Sequence, residues 1–247
     1  MKVLLAHRSI RKYQSKSISD ELLHELLECG IRSSNTGNMQ LYSIIVTRDQ
    51  KRKELIAPLH FNQQMVHEAP VILTICFDIN RFMKWCRIND TKTDFKSLLW
   101  LLNGAIDSSI LTQNICVAAE NMGLGICYLG TTLYNASEIS KILCLPNGVI
   151  PITAITIGYP EIVPDQTDRL QLSAVVHYEE YCDYSDAEIS EIYSSKERLE
   201  SSISFVKENG KENLAQVYSE VRYKASDNSY FSSKLLKMLI EQGFNFE

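Results

Sequence analysis

Apolar residues recur along this chain at two spacings, and each spacing predicts one kind of element. Between Ser19, which suits a helix N-cap, and Gly30, which suits the end of a helix, leucines fall at helical intervals. Residues 97–121 hold a longer segment that is apolar nearly all round, which predicts a helix running through the core. Compact apolar runs predict strands at LYSIIVTRD, VILTICFD, ICYLG and PITAITIGYPE.

From about Tyr184 onward the pattern is helical. Ser185 and Glu188 form a capping-box signal ahead of apolar residues at helical intervals, and a last helix is expected at FSSKLLKMLIEQGF, with Gly243 as its stop. The sequence therefore predicts an α+β fold, in which helices surround a central mixed or antiparallel sheet. We expect residues 1–182 to form one domain and residues 183–247 a helical C-terminal extension that packs on the body or on a partner subunit.

Composition and charge limit the classes of function that the sequence favours. The 247 residues carry a formal net charge of −5, whereas general affinity for nucleic acids needs a basic face. The seven cysteines are an odd number without a close pair, and most lie in apolar runs, which is typical of reduced thiols in the cytoplasm. No spacing of cysteines and histidines suits a metal, and no apolar run suits a membrane span or a signal peptide. We expect a cytoplasmic protein with no metal and no nucleic-acid or membrane partner.

The chain is acidic as a whole, but the stretch HRSIRKY contains several basic side chains close together. On a helix, His7, Arg8 and Arg11 would converge on one face. The planar fork of arginine suits a phosphate, and Ser9 can add a neutral donor. The pattern indicates a site for a small anion. A solvated helix start without a ligand is the alternative.

Three further polar segments could join such a site. The loop SSNTGNMQ offers hydroxyls and amides before a predicted strand, Gly130 follows a buried strand, and Arg169 lies in the loop PDQTDRL. Each is equally compatible with an ordinary turn or solvent-facing loop. Asp107, midway along the apolar helix, is expected to be a hydrogen-bonded core carboxylate. Because the usual hydrolase, metalloprotease, P-loop and dinucleotide motifs are absent from the sequence, we expect a cofactor rather than a catalytic side chain to supply the chemistry.

The order and spacing of these segments resemble the nitroreductase family of FMN-dependent NAD(P)H oxidoreductases, most closely its larger oxygen-insensitive nitroreductase and flavin reductase branch. The resemblance spans roughly residues 5–180 and is strongest in HRSIRKY, AAENMGLGICYLG and PITAITIGYP. It implies bound FMN, NADH or NADPH as co-substrate, a small-molecule electron acceptor such as a nitroaromatic or a quinone, and a homodimer with the flavin at the subunit interface. A flavin reductase of the same fold and a non-catalytic FMN- or anion-binding protein are the alternatives.

The resemblance also implies a set of cofactor-binding residues: His7, Arg8, Ser9, Arg11, Ser34, Asn35, Thr36, Gln63, Tyr128, Leu129, Gly130 and Arg169. The N-terminal four would hold the FMN phosphate and ribityl end, together with Arg169 from the far loop. Residues 34–36 would meet the flavin, and Gln63 would hydrogen-bond the polar edge of its ring. Residues 128–130 would lie along the ring, with the Gly130 backbone N–H near its reactive nitrogen.

The chain departs from this branch in two places. Thr167 stands where the branch often carries a lysine, which predicts a less positive flavin environment. Thr131, Thr132 and Leu133 stand where the branch often has a second glycine and then an arginine that can meet the extra phosphate of NADPH, so either nicotinamide cofactor is expected. Residues 80–96, with mixed aromatic and charged side chains, form a candidate lid or an exposed connection.

Overall fold

The computed structural model describes residues 1–92 and 95–246, and its centre is an antiparallel sheet with strand order β1-β2-β4-β3. The strands are β1 (Tyr42–Thr47), β2 (Val71–Asp78), β3 (Gly125–Leu129) and β4 (Val149–Gly158). Every residue of β2 is buried, because this central strand is covered on both faces, and its sequence is accordingly a continuous apolar run rather than an alternating one. The register between β2 and β4 shifts between Ile75 and Cys76, where Pro151, which has no N–H for the ladder, is the partner of Cys76.

Helices surround the sheet, which confirms the predicted α+β fold. They are α1 (Lys2–Leu5), α2 (Asp20–Ile31), α3 (Gln50–Ile56), α4 (Gln64–Glu68), α5 (Asn80–Ile88), α6 (Leu98–Asn121), α7 (Ala136–Ile142), α8 (Asp186–Glu197), α9 (Glu200–Glu208), α10 (Leu214–Gln216) and α11 (Ala225–Glu241). Ser19 caps α2 as predicted, by accepting a hydrogen bond from the backbone N–H of Leu22. The interpretation of Gly30 as a helix stop was wrong. It is a buried residue of α2, and a β-carbon there would stand 2.5 Å from Cγ1 of Ile115, so the glycine lets α2 approach α6 closely.

Helix α6 occupies the predicted segment, but it is not buried all round. Its second half lies in the core through residues such as Leu111 and Ile115, whereas Leu99, Leu102 and Ile106 in its first half are more than half exposed. The expectation that the whole helix runs through the core was therefore wrong. An apolar sequence indicates that a helix face is covered in the assembled protein. The surface that covers it can belong to the same chain or to another chain.

The chain divides into two compact units, residues 1–165 with 231–247, and residues 166–230. In the first unit, Met238, Leu239 and Phe244 belong to a core cluster with Leu41 and Phe77 of the sheet region. The second unit contains α8, α9, α10 and a π-helical turn at Val217–Arg222, and Ser185 and Glu188 form the predicted capping box at the start of α8. The predicted division between a domain ending at residue 182 and an extension stays a prediction.

The segment 80–96 begins with α5 and carries a chain of aromatic contacts. Ring centroids lie 5.1 Å apart for Phe82 and Phe95 and 4.8 Å apart for Phe95 and Trp100. Thr93 and Asp94 lie outside the described residues. The role of this segment as a lid stays a prediction.

Candidate functional site

The basic N-terminal segment is extended, so the predicted helical arrangement of His7, Arg8 and Arg11 was wrong. Helix α1 ends at Leu5, Ser9 forms a parallel bridge with Ile126 of β3, and the backbone N–H of Ile10 donates to the Ile126 carbonyl at 2.8 Å. Burial of Ile10 against the sheet outweighs any local helical preference. Because successive side chains of an extended backbone point to opposite sides, His7, Ser9 and Arg11 share one side of the segment.

His7 is tied to the end of α6. Its Nδ1 lies 2.6 Å from Oε1 of Glu120, and the Glu120 side chain is mostly buried. Sequence analysis missed Glu120, because nothing local connects two residues that are 113 positions apart. The contact fixes the start of the basic segment on the body of the protein.

Arg8 has an incompletely satisfied guanidinium. Its Nη1 donates to the Ala6 carbonyl at 2.8 Å, while its buried Nε has no hydrogen-bond partner among the described residues. Together with Lys2 and Glu120, it lines a cavity of about 410 Å³. A buried donor without a partner is costly, so Arg8 offers a strong donor for an acceptor on a ligand.

Arg11 is exposed and lies beside the thiol of Cys127 on β3. Burial raises the pKa of Cys127, and the neighbouring Arg11 guanidinium partly offsets that rise. Buried Tyr13 fixes the other end of the segment, because its hydroxyl donates to the Ile10 carbonyl at 2.8 Å and shares a hydrogen bond of 2.8 Å with the Thr156 hydroxyl. The structure thus places Arg11 directly beside the strand that leads to the predicted ring-contacting residues.

The end of β3 presents an open surface. Leu129 is buried, whereas Tyr128 is partly exposed and its hydroxyl donates to Oε1 of Gln113 on α6 over a long 3.5 Å. Burial nevertheless raises the pKa of Tyr128, so its phenol is protonated at neutral pH. A β-carbon built on Gly130 would meet no heavy atom of the described residues within 4 Å. The backbone at Gly130 therefore has room for a flat group to approach it.

The turn that carries Gln63 is joined to this surface by a residue that sequence analysis did not single out. Buried His60 places its Nδ1 2.7 Å from the Thr131 hydroxyl, next to Gly130, and its carbonyl accepts a hydrogen bond of 3.0 Å from Nε2 of Gln63. Desolvation lowers the pKa of His60 to about 4, so the ring is neutral at physiological pH. Gln63 and Gly130 are thereby held in adjoining loops.

The polar loop before β1 is organised by Asp107. The backbone N–H and the hydroxyl of Thr36 both donate to this carboxylate at 3.0 Å, and Asp107 is only 2% exposed. The prediction of a hydrogen-bonded core carboxylate is confirmed. Asn35 Oδ1 accepts from the Gln40 backbone N–H at 3.2 Å, while Ser34 is exposed. Thr36 therefore directs its donors towards α6, and among residues 34–36 only Ser34 is exposed.

Arg169 belongs to the second unit, where its Nη1 donates to the Thr167 hydroxyl at 2.7 Å and to the Asp168 carbonyl at 2.8 Å. The Asp168 carboxylate is paired with Lys196 of α8 at 2.8 Å. The convergence of Arg169 with the N-terminal arginines stays a prediction.

Within residues 1–92 and 95–246 no cluster of histidine, cysteine and acidic side chains could hold a metal ion. Across the same residues, none of the helices is long and apolar enough to cross a membrane. In the first unit, the site consists of a basic extended segment beside β3, an open strand end at Gly130 and a turn that presents Gln63. Such an arrangement can bind a ligand that has an anionic end and a flat, hydrogen-bonding end.

Known proteins with this sequence pattern and fold agree with that description. The model of the nitroreductase family matches residues 4–159. A NADPH-flavin oxidoreductase of Vibrio harveyi is 34% identical over 182 residues, which are 73% of this chain and 74% of that protein. An FMN reductase [NAD(P)H] of Bacillus subtilis is 30% identical, over 100% of this chain and 98% of its own length. A solved structure from Bacteroides fragilis superposes with a TM-score of 0.98 at 47% identity, and the match covers 100% of both chains.

This chain belongs to the nitroreductase family. The predicted resemblance is confirmed, and the predicted class of enzyme, an NAD(P)H-dependent oxidoreductase, agrees with the names of these relatives.

Proposed function

We propose that the protein is an FMN-dependent NAD(P)H oxidoreductase that passes two electrons to nitroaromatics, quinones or related acceptors. The observation that carries this proposal is the hydrogen bond from the Ile10 backbone to Ile126, because it holds the basic segment alongside β3, the strand that leads to Gly130. The segment with the proposed phosphate ligands is thereby joined through β3 to the open backbone at Gly130. The relatives named above as flavin oxidoreductase and FMN reductase support the same chemistry.

The residues of this chain fit FMN. Arg8 has a buried Nε without a partner, Arg11 is exposed, and guanidinium groups bind phosphate through charge-assisted hydrogen bonds. Gly130 has open space at the position of a β-carbon, which a flat ring needs for close approach. Ser9, Ser34 and Arg169 complete the proposed set around the phosphate and the flavin.

Bound FMN would supply the ring that accepts and returns a hydride equivalent. The protein would bind and orient it. The Nε2 of Gln63 donates to the His60 carbonyl, which leaves its Oε1 suited to accept from an N–H on the ring edge. The Gly130 backbone N–H and the nearby cations would stabilise negative charge on the reduced ring. We propose a ping-pong sequence in which the oxidised nicotinamide leaves before the acceptor takes its place.

The nicotinamide cofactor can be NADH or NADPH. Thr131 bonds to His60, and the Thr132 hydroxyl donates to the Leu129 carbonyl at 2.8 Å, so this loop offers its hydroxyls to the protein rather than a cation to a second phosphate. A flavin reductase of the same fold is the second candidate, favoured by the relatives that carry that name. Binding of FMN without turnover is the third.

We also propose a cytoplasmic homodimer. The exposed apolar face of α6 supports the dimer, because Leu99 is 66% and Ile106 57% exposed on a single helix. Ile106→Glu should shift the protein towards the monomer in sedimentation analysis. Leu55→Glu, which changes an exposed leucine on α3, is the matched control. A chain that sediments as a monomer before any substitution would contradict the dimer.

The absorbance spectrum of the purified protein tests the function. A yellow protein that is bleached by NADH or NADPH and recoloured by a quinone is expected, and a protein that stays colourless after incubation with excess FMN would refute the proposal. Arg8→Ala and Arg11→Ala should each weaken FMN binding about 10- to 150-fold, for the loss of roughly 1.5–3 kcal/mol of charge-assisted hydrogen bonding. Lys12→Ala removes an equal charge from the same segment and should leave FMN affinity unchanged.

A further inference from the structure

Three aromatic rings meet at the surface beside the proposed ring-binding loops. Tyr134 and Phe231 are stacked, with centroids 4.5 Å apart and an interplanar angle of 13°. Phe61 packs edge-on to both at 6.3 Å, and 55% of Phe61 is exposed. The stacked pair supports Phe61 from the protein side, while much of the Phe61 ring stays accessible.

The backbone at Phe61 is strained. Its φ of 56° and ψ of 34° lie in the left-handed region, and Asn62 follows with a φ of 51°. Glycine adopts this conformation without penalty, whereas a bulky side chain does so at a conformational cost. Burial of the Phe61 ring does not offset that conformational cost, because 55% of the residue is exposed. Residues held in sparsely populated backbone conformations cluster at active sites and ligand-binding segments.

The turn that contains Phe61 is hydrogen-bonded to the loop that follows Gly130. His60 bonds to Thr131, and Nδ2 of Asn135 donates to the Leu59 carbonyl at 2.7 Å. Phe61 is thus two residues from Gln63, and its partner Tyr134 is four residues from Gly130.

Polar contacts from α11 hold Phe231 beside the same loop. Lys234, one turn further along α11, donates to Oδ1 of Asn135 at 2.8 Å and pairs with Glu138 at 2.9 Å. All three rings are therefore carried by segments that are bonded to one another, and two of these segments also carry the residues proposed to meet the flavin ring, Gln63 and Gly130.

We propose that Phe61, supported by Tyr134 and Phe231, is a contact surface for the planar aromatic ring of the electron acceptor. The proposal rests on the oxidoreductase function argued above, and it names the residue that favours aromatic acceptors over others. Aromatic rings gain from offset or edge contacts beyond the area that they bury, and electron-poor rings such as nitroarenes and quinones are suited to an electron-rich face. An inorganic acceptor such as ferricyanide has no ring and gains nothing from Phe61.

Phe61→Gly in the full-length, FMN-loaded protein tests this, because glycine removes the ring and suits the left-handed backbone. With the protein reduced by NADH, the concentration of menadione or nitrofurazone at half-maximal reoxidation rate should rise about 3- to 10-fold. The rate of reoxidation by ferricyanide, which has no ring, should be unchanged. Tyr178→Ala, which removes an exposed ring from the second unit, should change none of these values.

Equal values for the aromatic acceptors in wild type and variant would overturn the proposal, and so would a parallel change in the value for ferricyanide. If Phe61→Gly does not yield folded protein, Phe61→Asn serves instead, since asparagine also tolerates this backbone. If the wild-type protein does not bind FMN or is not reduced by NADH, the proposed function itself is refuted. If the wild-type protein is active and Phe61→Gly turns over normally with every acceptor, only the role of Phe61 is refuted.

Discussion

Ile10 lies so close to Gly125 that a β-carbon on the glycine would stand 2.4 Å from Cγ1 of the isoleucine. The contact joins the N-terminal segment, with its proposed phosphate ligands, to the first residue of β3. Any side chain larger than hydrogen at position 125 would push the two apart. The position of the basic side chains thus depends on a glycine more than a hundred residues away in the sequence.

Gly125→Ala should therefore weaken FMN binding and destabilise the fold. Overpacking at this contact is expected to lower the free energy of unfolding by roughly 1–3 kcal/mol. Ile10→Ala in the same chain makes room for the new methyl group, so the double variant should bind FMN more tightly than Gly125→Ala alone. Urea unfolding and fluorescence titration with FMN measure the two effects, and Ile10→Ala alone is the control. Wild-type FMN affinity in Gly125→Ala would show that the contact does not position the segment.

His60 should lower the stability of the fold at acid pH. Its pKa is lowered to about 4 in the folded protein, from the ordinary histidine value of 6.5, because the ring is buried. Between these values the unfolded chain binds a proton that the folded chain does not, so the free energy of unfolding falls as the pH drops below about 6.5. From pH 7 to pH 4.5 this residue should remove about 2–3 kcal/mol, at 1.36 kcal/mol for each pH unit below 6.5.

His60→Gln keeps a side chain that can bond to Thr131 but does not titrate, and it should lose this part of the pH dependence. Urea unfolding at pH 7 and pH 4.5 measures it. His24→Gln, at an exposed histidine of α2, is the control and should retain the wild-type slope. If His60→Gln retains that slope too, the acid sensitivity has another source.

Asp107→Asn should loosen the loop of residues 34–36. Oδ1 of the carboxylate accepts from both the backbone N–H and the hydroxyl of Thr36, and Oδ2 also accepts from the backbone N–H; in asparagine an NH2 donor replaces one of these oxygens and the charge is lost. Loss of a charge-assisted bond at a buried site should cost about 1–3 kcal/mol of stability. Thr36→Ser keeps both donors and is the matched control. Faster hydrogen exchange of the residue 36 amide in Asp107→Asn is expected, and exchange at the wild-type rate would contradict the role given to this carboxylate.

Thr167→Lys should raise the flavin reduction potential. The Thr167 hydroxyl accepts from Arg169, a proposed phosphate ligand, so a lysine there adds a positive charge to the proposed cofactor site. Nearby positive charge favours the reduced, anionic ring. Thr167→Val removes the hydroxyl without adding charge and should leave the potential nearer to wild type. Redox titration measures both variants, and an unchanged potential in Thr167→Lys would place residue 167 away from the flavin.

Elements with local signals could be recognised from the amino-acid sequence alone. The apolar run of β2 needs no partner to be recognised, the Ser185 and Glu188 capping box lies within a single turn, and the ordered motifs from HRSIRKY to PITAITIGYP indicated the family.

The arrangement of residues 7–11, the packing role of Gly30 and the uncovered face of α6 are set by long-range contacts in the folded chain. Folding also brings Glu120 to His7 and Thr131 to His60. Periodicity and capping depend on neighbours within about one helical turn, whereas these contacts join segments that are distant along the chain. Their energy comes from burial and hydrogen bonding that exist only once the sheet has assembled, and for that reason the basic segment became extended where its local sequence had indicated a helix.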